Sequence, residues 1–379
     1  MMKKTFRLLI LFSVTFCCCA SPNRKNEVSL NDSLSIDEIG RTAEYPPLPP
    51  LEPGEIHVTD DAFGPAISLT GMPLETKEIT RAVHLLVKDD YLILQNQRPD
   101  SLFMIFELPE MKCVAAFGRT GRGPDEFGFP KIVKTEEDSI LFYIYEQVTD
   151  KVYKVAKERM IPEYYLTLPK QEHFGDKQIV FFDDRTAWYA ASTSRGKNIY
   201  YFNNDSLPNE KSMADLAIPR LKGSWTTYTG DFGTNFACGR IAYAYKYFKR
   251  LRIIDMSNMN QREIIFDADE LAKGQNDIQN LEPTNITHFW GMSPGQRHFW
   301  MAYSGRTPVD VQQANRSNNK FIFIEKYDWN GNPVKRYRLD DWGYFCVDEK
   351  NKTLYLSSTA GIFSILKYDL SENGETGID

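Results

Sequence analysis

The chain has 379 residues and a formal net charge of -6, with 42% hydrophobic residues and 13% aromatic residues, mostly Phe (24) and Tyr (20). Both charge signs are mixed throughout, so no basic field is present to hold phosphate backbones, which argues against a nucleic-acid partner. The aromatic excess suits half-buried sheet surface rather than helix bundles, and an all-β domain of this length can be a single unit.

Lys3, Lys4 and Arg7 precede the apolar run 8–16. That run is shorter than the roughly 20 residues needed to span a bilayer and has the form of a secretory h-region. Cys17, Cys18 and Cys19 stand at its end, which resembles the lipobox of bacterial lipoproteins, with Cys19, or alternatively Cys18, as the lipidated first mature residue. Residues 1–19 are therefore read as a signal peptide with lipobox-like cysteines. Residues 20–56 are polar and proline-rich and read as a tether, its 45–53 stretch favouring extended polyproline geometry. The run after the cysteines carries Arg24 and Lys25 rather than acidic residues, which points to the periplasmic side of the outer membrane.

From about residue 83 one pattern recurs: an apolar run, a turn, a second apolar strand, then two more strands. The turns are acidic at Asp89-Asp90, at 135–139, at Asp183-Asp184 and at Asp348-Glu349, and less so at 237–240 and 293–297. Second strands beginning near Tyr91, Ile140, Ala187, Ile241, His298 and Thr353 give a period of roughly 50 residues, that of a four-stranded propeller blade with its loops. The sixth unit stops after 363–368, so its outermost strand must come from elsewhere, and residues 66–71 are available. The expected fold is an all-β, six-bladed propeller with four-stranded blades over residues 57–370, its ring closed by an N-terminal strand, followed by a polar tail, 371–379.

The junction 117–130 joins the first two units. Gly118, Gly121, Gly123 and Gly128 permit positive φ, while Pro124 and Pro130 remove donors, so neither helix nor strand continues through it. With this Gly-Arg-x-Gly-x-Gly-Pro-x-Glu-Phe junction at 118–127, the chain resembles the six-bladed TolB-like propeller lipoproteins of Gram-negative bacteria over about 67–370. The resemblance implies the fold, and only weakly a function, since propellers host binding proteins, scaffolds and enzymes alike.

The paired carboxylates fall at the same turn of successive units and read as turn chemistry. Asp340-Asp341 has no identifiable partner. His57, His84, His173, His288 and His298 are isolated, without metal-ligand spacing, and Cys113, Cys238 and Cys346 read as buried free thiols. No Gly-x-Ser-x-Gly elbow or Walker-type loop appears, so nucleophilic hydrolase and nucleotide readings lack support, and without metal-ligand spacing neither cofactor nor metal is expected. The long connections, 119–130, 219–235, 267–285 and 305–320, share one face of a propeller, and loop length beyond what a turn needs is commonly functional. They bring Arg122, Asp125, Glu126, Trp225, Tyr228, Asp231, Phe232 and Arg306 together, with Tyr247, Lys249 and Trp290 beside them, a set suited to stacking and charge contacts. The reading is an exported, lipid-anchored binding or interaction module whose ligand is a glycan, peptide or protein. The alternative is a propeller enzyme of lyase or lactonase type, with three or more His, Asp, Glu or Asn side chains converging in the central channel.

Overall fold

A computed structural model describes residues 48–74, 79, 81–123, 126–170, 177–193, 196–219, 221, 225–269, 285–359 and 365–371. The signal peptide, the lipobox cysteines and most of the tether lie outside them.

The strands follow one another as antiparallel meanders, as alternating apolar runs separated by tight turns require. The first meander comprises Ala82–Lys88, Tyr91–Asn96, Phe103–Glu107 and Lys112–Phe117. The second begins at Pro130–Thr135 and the third at Gln178–Phe181, and these two lead strands pair in parallel, so that both meanders share one eight-stranded sheet. The fourth runs from Gly230–Asn235 to Gln261–Phe266, the fifth from Thr287–Pro294 to Pro333–Leu339, and the sixth from Gly343–Asp348 to Ile365–Asp369. Apolar clusters fill the spaces between successive meanders. Phe103 and Phe142 lie between the first two, and Leu92, Met104 and Phe106 of the first pack with Cys346, Tyr355 and Ile365 of the sixth. Cys346 is buried, while Cys113 and Cys238 are half-buried free thiols.

The acidic turns behave as turn chemistry. Asp183 accepts from the N–H groups of Arg185 and Thr186, Asp348 accepts from the N–H of Asn351, and Asp89 sits at φ 51°. Asp and Asn tolerate that left-handed region better than most residues.

The N-terminal segment departs from expectation in three ways. First, the folded part begins before residue 57. Leu51 is 2% exposed, its N–H donates to Asp255 Oδ2 at 3.0 Å, and its carbonyl accepts from Asn260 Nδ2 at 3.1 Å. Next, strand β1 (Gly54–Val58) adds in parallel to Gln261–Phe266 of the fourth meander. Third, residues 66–71 do not pair with the last strand. Strand β2 (Ile67–Leu69) adds in parallel to the fifth meander, the chain turns at Gly71, and strand β3 (Met72–Leu74) pairs antiparallel with Ile365–Lys367 as fourth strand of the sixth meander. Gly71 is required at that turn, because a Cβ there would lie 2.7 Å from the Tyr368 ring. Asp340 has partners after all, accepting from the Gly71 N–H at 3.1 Å and the Tyr368 hydroxyl at 2.9 Å. Pro73 is tolerated because β3 is an edge strand.

Between β1 and β2 a short turn, Asp60–Phe63, docks on Lys249, whose side chain is 0% exposed. Its ammonium lies 2.5 Å from Asp60 Oδ1 and 3.3 Å from Glu325 Oε1, and 4.0 Å from the centroid of the Tyr303 ring. Arg336 also reaches Glu325, at 2.7 Å. A buried charge is tolerated only when fully paired, and removing one partner leaves the other uncompensated. Lys249→Met or Glu325→Gln alone is therefore expected to destabilise the fold by about 3–5 kcal/mol in denaturant melts. Asp60→Asn, at a half-exposed carboxylate, should cost clearly less; equal losses would show that Asp60 is as essential to the site as Glu325.

Candidate functional site

The lead strands converge on a cavity of about 350 Å³ lined by His84, Gln178, Asp231, Lys246, Trp290 and Tyr344, among others. Apart from Lys246, each of these comes from a lead strand, of the first, third, fourth, fifth or sixth meander. Lys246 stands in the connection after Arg240–Tyr245.

Local geometry holds these strands together. Gln178 Nε2 donates to the Gly230 carbonyl at 2.6 Å, tying the third meander to the fourth. Gly230 is needed there, because a Cβ would come within 2.1 Å of the Ala244 carbonyl oxygen. Asp231 Oδ2 accepts from the Gly291 N–H at 2.8 Å, tying the fourth to the fifth. The Val347 N–H donates to Ser293 Oγ at 2.9 Å, joining fifth and sixth, and the His84 and Tyr344 rings meet at 5.9 Å, joining sixth and first. Gln95 Nε2 donates to the Pro130 carbonyl at 2.8 Å, joining first and second.

Lys246, Asp231 and His84 line this cavity together. Burial raises the pKa of Asp231 above the ordinary carboxylate range, against the opposing pull of the Gly291 N–H and of Lys246, Lys197 and Lys131. His84 is accessible to water within the cavity yet surrounded by protein. That enclosure, with Lys131 nearby, pushes its pKa down to about 4, so the imidazole is neutral at pH 7. Lys246 spreads over the Tyr247 ring, 5.5 Å from its centroid. Trp290 meets Trp342 edge to face at 5.2 Å and Tyr344 at 5.7 Å.

The residues singled out from the sequence fall into three groups. Trp290 lines this cavity, and with Arg306 it also lines a second one of about 240 Å³. Tyr228, Phe232 and Tyr247 are instead buried, Tyr228 at 2% exposure with its hydroxyl donating to the Leu221 carbonyl, so they pack the wall and offer no ligand-facing surface. Phe232 and Asp231 belong to a strand, Gly230–Asn235, and not to a loop. Trp225 opens the short turn Trp225–Tyr228. In the glycine-rich junction Arg122 is exposed, whereas the carboxylate of Glu126 is engaged by the Gly123 N–H at 2.8 Å, an internal brace. Asp125 lies outside the described residues, and Lys249 is enclosed in the ion pairs of the N-terminal segment.

His84, Lys246, Tyr344 and Trp342 were not anticipated as site residues. Their signal was position: three of them sit in or just before lead strands, where a channel-facing side chain is polar or aromatic in an otherwise apolar run. Among the described residues no group of three His, Cys, Asp or Glu side chains is placed to hold a metal ion.

Solved structures with similar folds include a Bacteroides fragilis protein described as exported, at 13% identity and TM-score 0.52, covering 83% of this chain and 99% of that one. Another is a DUF4221-family member from Bacteroides vulgatus, at 10% identity and TM-score 0.54, covering 81% and 97%. At such identities the likeness is one of fold. No curated protein sequence matches the chain. The family described as TolB-like 6-blade propeller-like matches residues 62–350, most of the chain, and with the meanders described above this identifies the protein as a member of that family.

Proposed function

We propose that the chain is an exported binding module that takes an anionic ligand in the cavity where the lead strands converge. The observation that carries this reading is the composition of that cavity. Lys246 lines it, Lys131 and Lys197 act electrostatically on Asp231, His84 is neutral at pH 7, and burial raises the pKa of Asp231. Trp290 and Tyr344 add aromatic faces on which a sugar ring can stack. An acidic sugar meets both requirements, and glucuronate, with glucose as its neutral counterpart, is a suitable probe.

The contacts from each lead strand to the next, and the apolar cluster joining the first meander to the sixth, support six blades in a closed ring with β3 as the closing strand. A chain lacking residues 1–58 would lose the added strand β1 and the Leu51 contacts to the fourth meander, but not β3. One lacking 1–75 would also lose β3 and Asp60, one of the two carboxylates paired with Lys249, and is expected to melt clearly lower; equal melting of the two would remove the closure.

Export is supported by the basic, apolar and cysteine-bearing start of the sequence and by the likeness to a protein described as exported. Lipid attachment at Cys19 or Cys18 would tether the propeller to the periplasmic side of the outer membrane. A radiolabelled fatty acid is then incorporated by the wild type and not when Cys18 and Cys19 are replaced together; label retained in the double variant would reject the anchor.

For the binding site itself, calorimetry should detect glucuronate and not glucose. Lys246→Met and Trp290→Ala are expected to weaken binding by about tenfold or more, equivalent to about 1.4 kcal/mol, without loss of fold. Affinity should fall as pH rises through the raised pKa of Asp231, since ionisation adds a negative charge beside the ligand, and Asp231→Asn should remove that dependence. Turn variants such as Asp183→Asn are expected to bind normally; if they lose binding while the cavity variants keep it, the site lies on the opposite face.

A further inference from the structure

The second cavity lies apart from the lead strands, beneath the one helix found among the described residues, α1 (Pro308–Arg316). This helix is inserted between the second and third strands of the fifth meander, where a tight turn would suffice. It is well fixed: Thr307 Oγ1 accepts from the Asp310 N–H at 3.1 Å, the Asp310 carboxylate accepts from the Thr307 N–H and hydroxyl, and Pro308 occupies the first turn. The Trp342 indole N–H donates to Asn315 Oδ1 at 3.0 Å, so the helix is also tied to the sixth meander. An element built and capped in this way encloses a volume of about 240 Å³ with walls of Trp290, Trp342, Val311 and Ile322.

Two polar groups on this wall are not accounted for by the protein. Arg306 Nε and Ser304 Oγ are both shut off from solvent and have no hydrogen-bond partner among the described residues. The guanidinium does donate once, to the Phe321 carbonyl at 2.6 Å, and stacks 3.9 Å from the Phe321 ring centroid. It forms no ion pair within 4.0 Å among the described residues. The nearest charges acting on it are Asp310, engaged with Thr307, and Arg338, which repels. Burial lowers its pKa, yet a guanidinium stays protonated at neutral pH, so a partly buried cation lines an apolar cavity with no ion pair among the described residues. An unsatisfied N–H and an unsatisfied hydroxyl are costly in an apolar setting.

We propose that the cavity under α1 is a second binding site, for a small monocarboxylate with an apolar, ring-sized body, its carboxylate received by Arg306 and Ser304 and its body held between Trp290, Trp342 and Val311. Arg306 supplies a planar donor fork that suits a carboxylate, and Ser304 a further donor. The two indoles meet edge to face and provide apolar wall without demanding hydrogen bonds from the ligand. The site is independent of the proposed channel ligand, although Trp290 is common to both walls.

Phenylacetate titrated into the full chain, with phenylacetamide as the uncharged counterpart, tests this by quenching of tryptophan fluorescence and by calorimetry. Saturable phenylacetate binding is expected, with phenylacetamide weaker by about tenfold or more. Arg306→Met and Ser304→Ala should each weaken phenylacetate binding, the former by about tenfold or more, while Lys246→Met should leave it unchanged. Because Arg306→Met could disturb the wall, Val311→Phe provides a second route: it fills the cavity and should abolish binding while retaining the wild-type circular dichroism spectrum. Equal binding of phenylacetamide, undiminished binding in the Val311→Phe variant, or no saturable binding at all would overturn the proposal. Loss of phenylacetate binding in Lys246→Met would assign the ligand to the channel cavity instead, and would equally overturn it.

Discussion

The ammonium of Lys249 is the constraint on which much of the architecture turns. It is withdrawn from water between the fourth and fifth meanders and neutralised from two directions, by Glu325 of the fifth meander and by Asp60 of the N-terminal segment. Desolvating such a charge is favourable only when its partners are held in place, so the pairing obliges the N-terminal segment to dock. Phe63 follows Asp60 into the same apolar cluster, packing edge to face with Tyr327 at 5.4 Å. From there the chain runs along the outer strands, adding β2 to the fifth meander before reaching the sixth. A second buried pair, Arg240 with Asp255 at 2.9 Å, does the same for Leu51 further upstream.

The path has a functional consequence. With β3 supplied to the sixth meander and apolar packing between sixth and first, the lead strands of five meanders contribute side chains to one cavity. Close approach there depends on small residues. Gly230 passes under the Ala244 carbonyl, and Gly291, at φ 89°, presents its N–H to Asp231. Asp231 is thereby held in an enclosed place, where burial raises its pKa.

Much of the fold was legible because apolar alternation and turn chemistry recur in each meander. The second strands begin at or within one residue of the positions read from the sequence, as at Tyr91, Ile140 and Thr353. What the sequence hid was tertiary. The segment 230–235 reads as loop, with two glycines and Asp, Thr and Asn among six residues, yet it forms a full strand, because its glycines answer to neighbours distant in sequence. Helix α1 was present as a capping box, Thr307 with Asp310, inside what looked like a plain long loop. The candidate site was legible only as a face. Trp290 and Arg306 do reach cavities, but aromatic residue type alone could not separate Trp290 from Tyr228 and Tyr247, which the core absorbs; His84 was marked only by its place in an apolar run, and nothing local marks Lys246.

The central claim, that the converging lead strands form a ligand site selective for negative charge, is tested most directly by a crystal structure of the protein grown with glucuronate. The account predicts ordered density for the sugar in the cavity, its carboxylate within hydrogen-bond reach of Lys246 Nζ and its ring against Trp290 or Tyr344. An empty cavity at saturating glucuronate, or a sugar bound only on the outer strands, would contradict it.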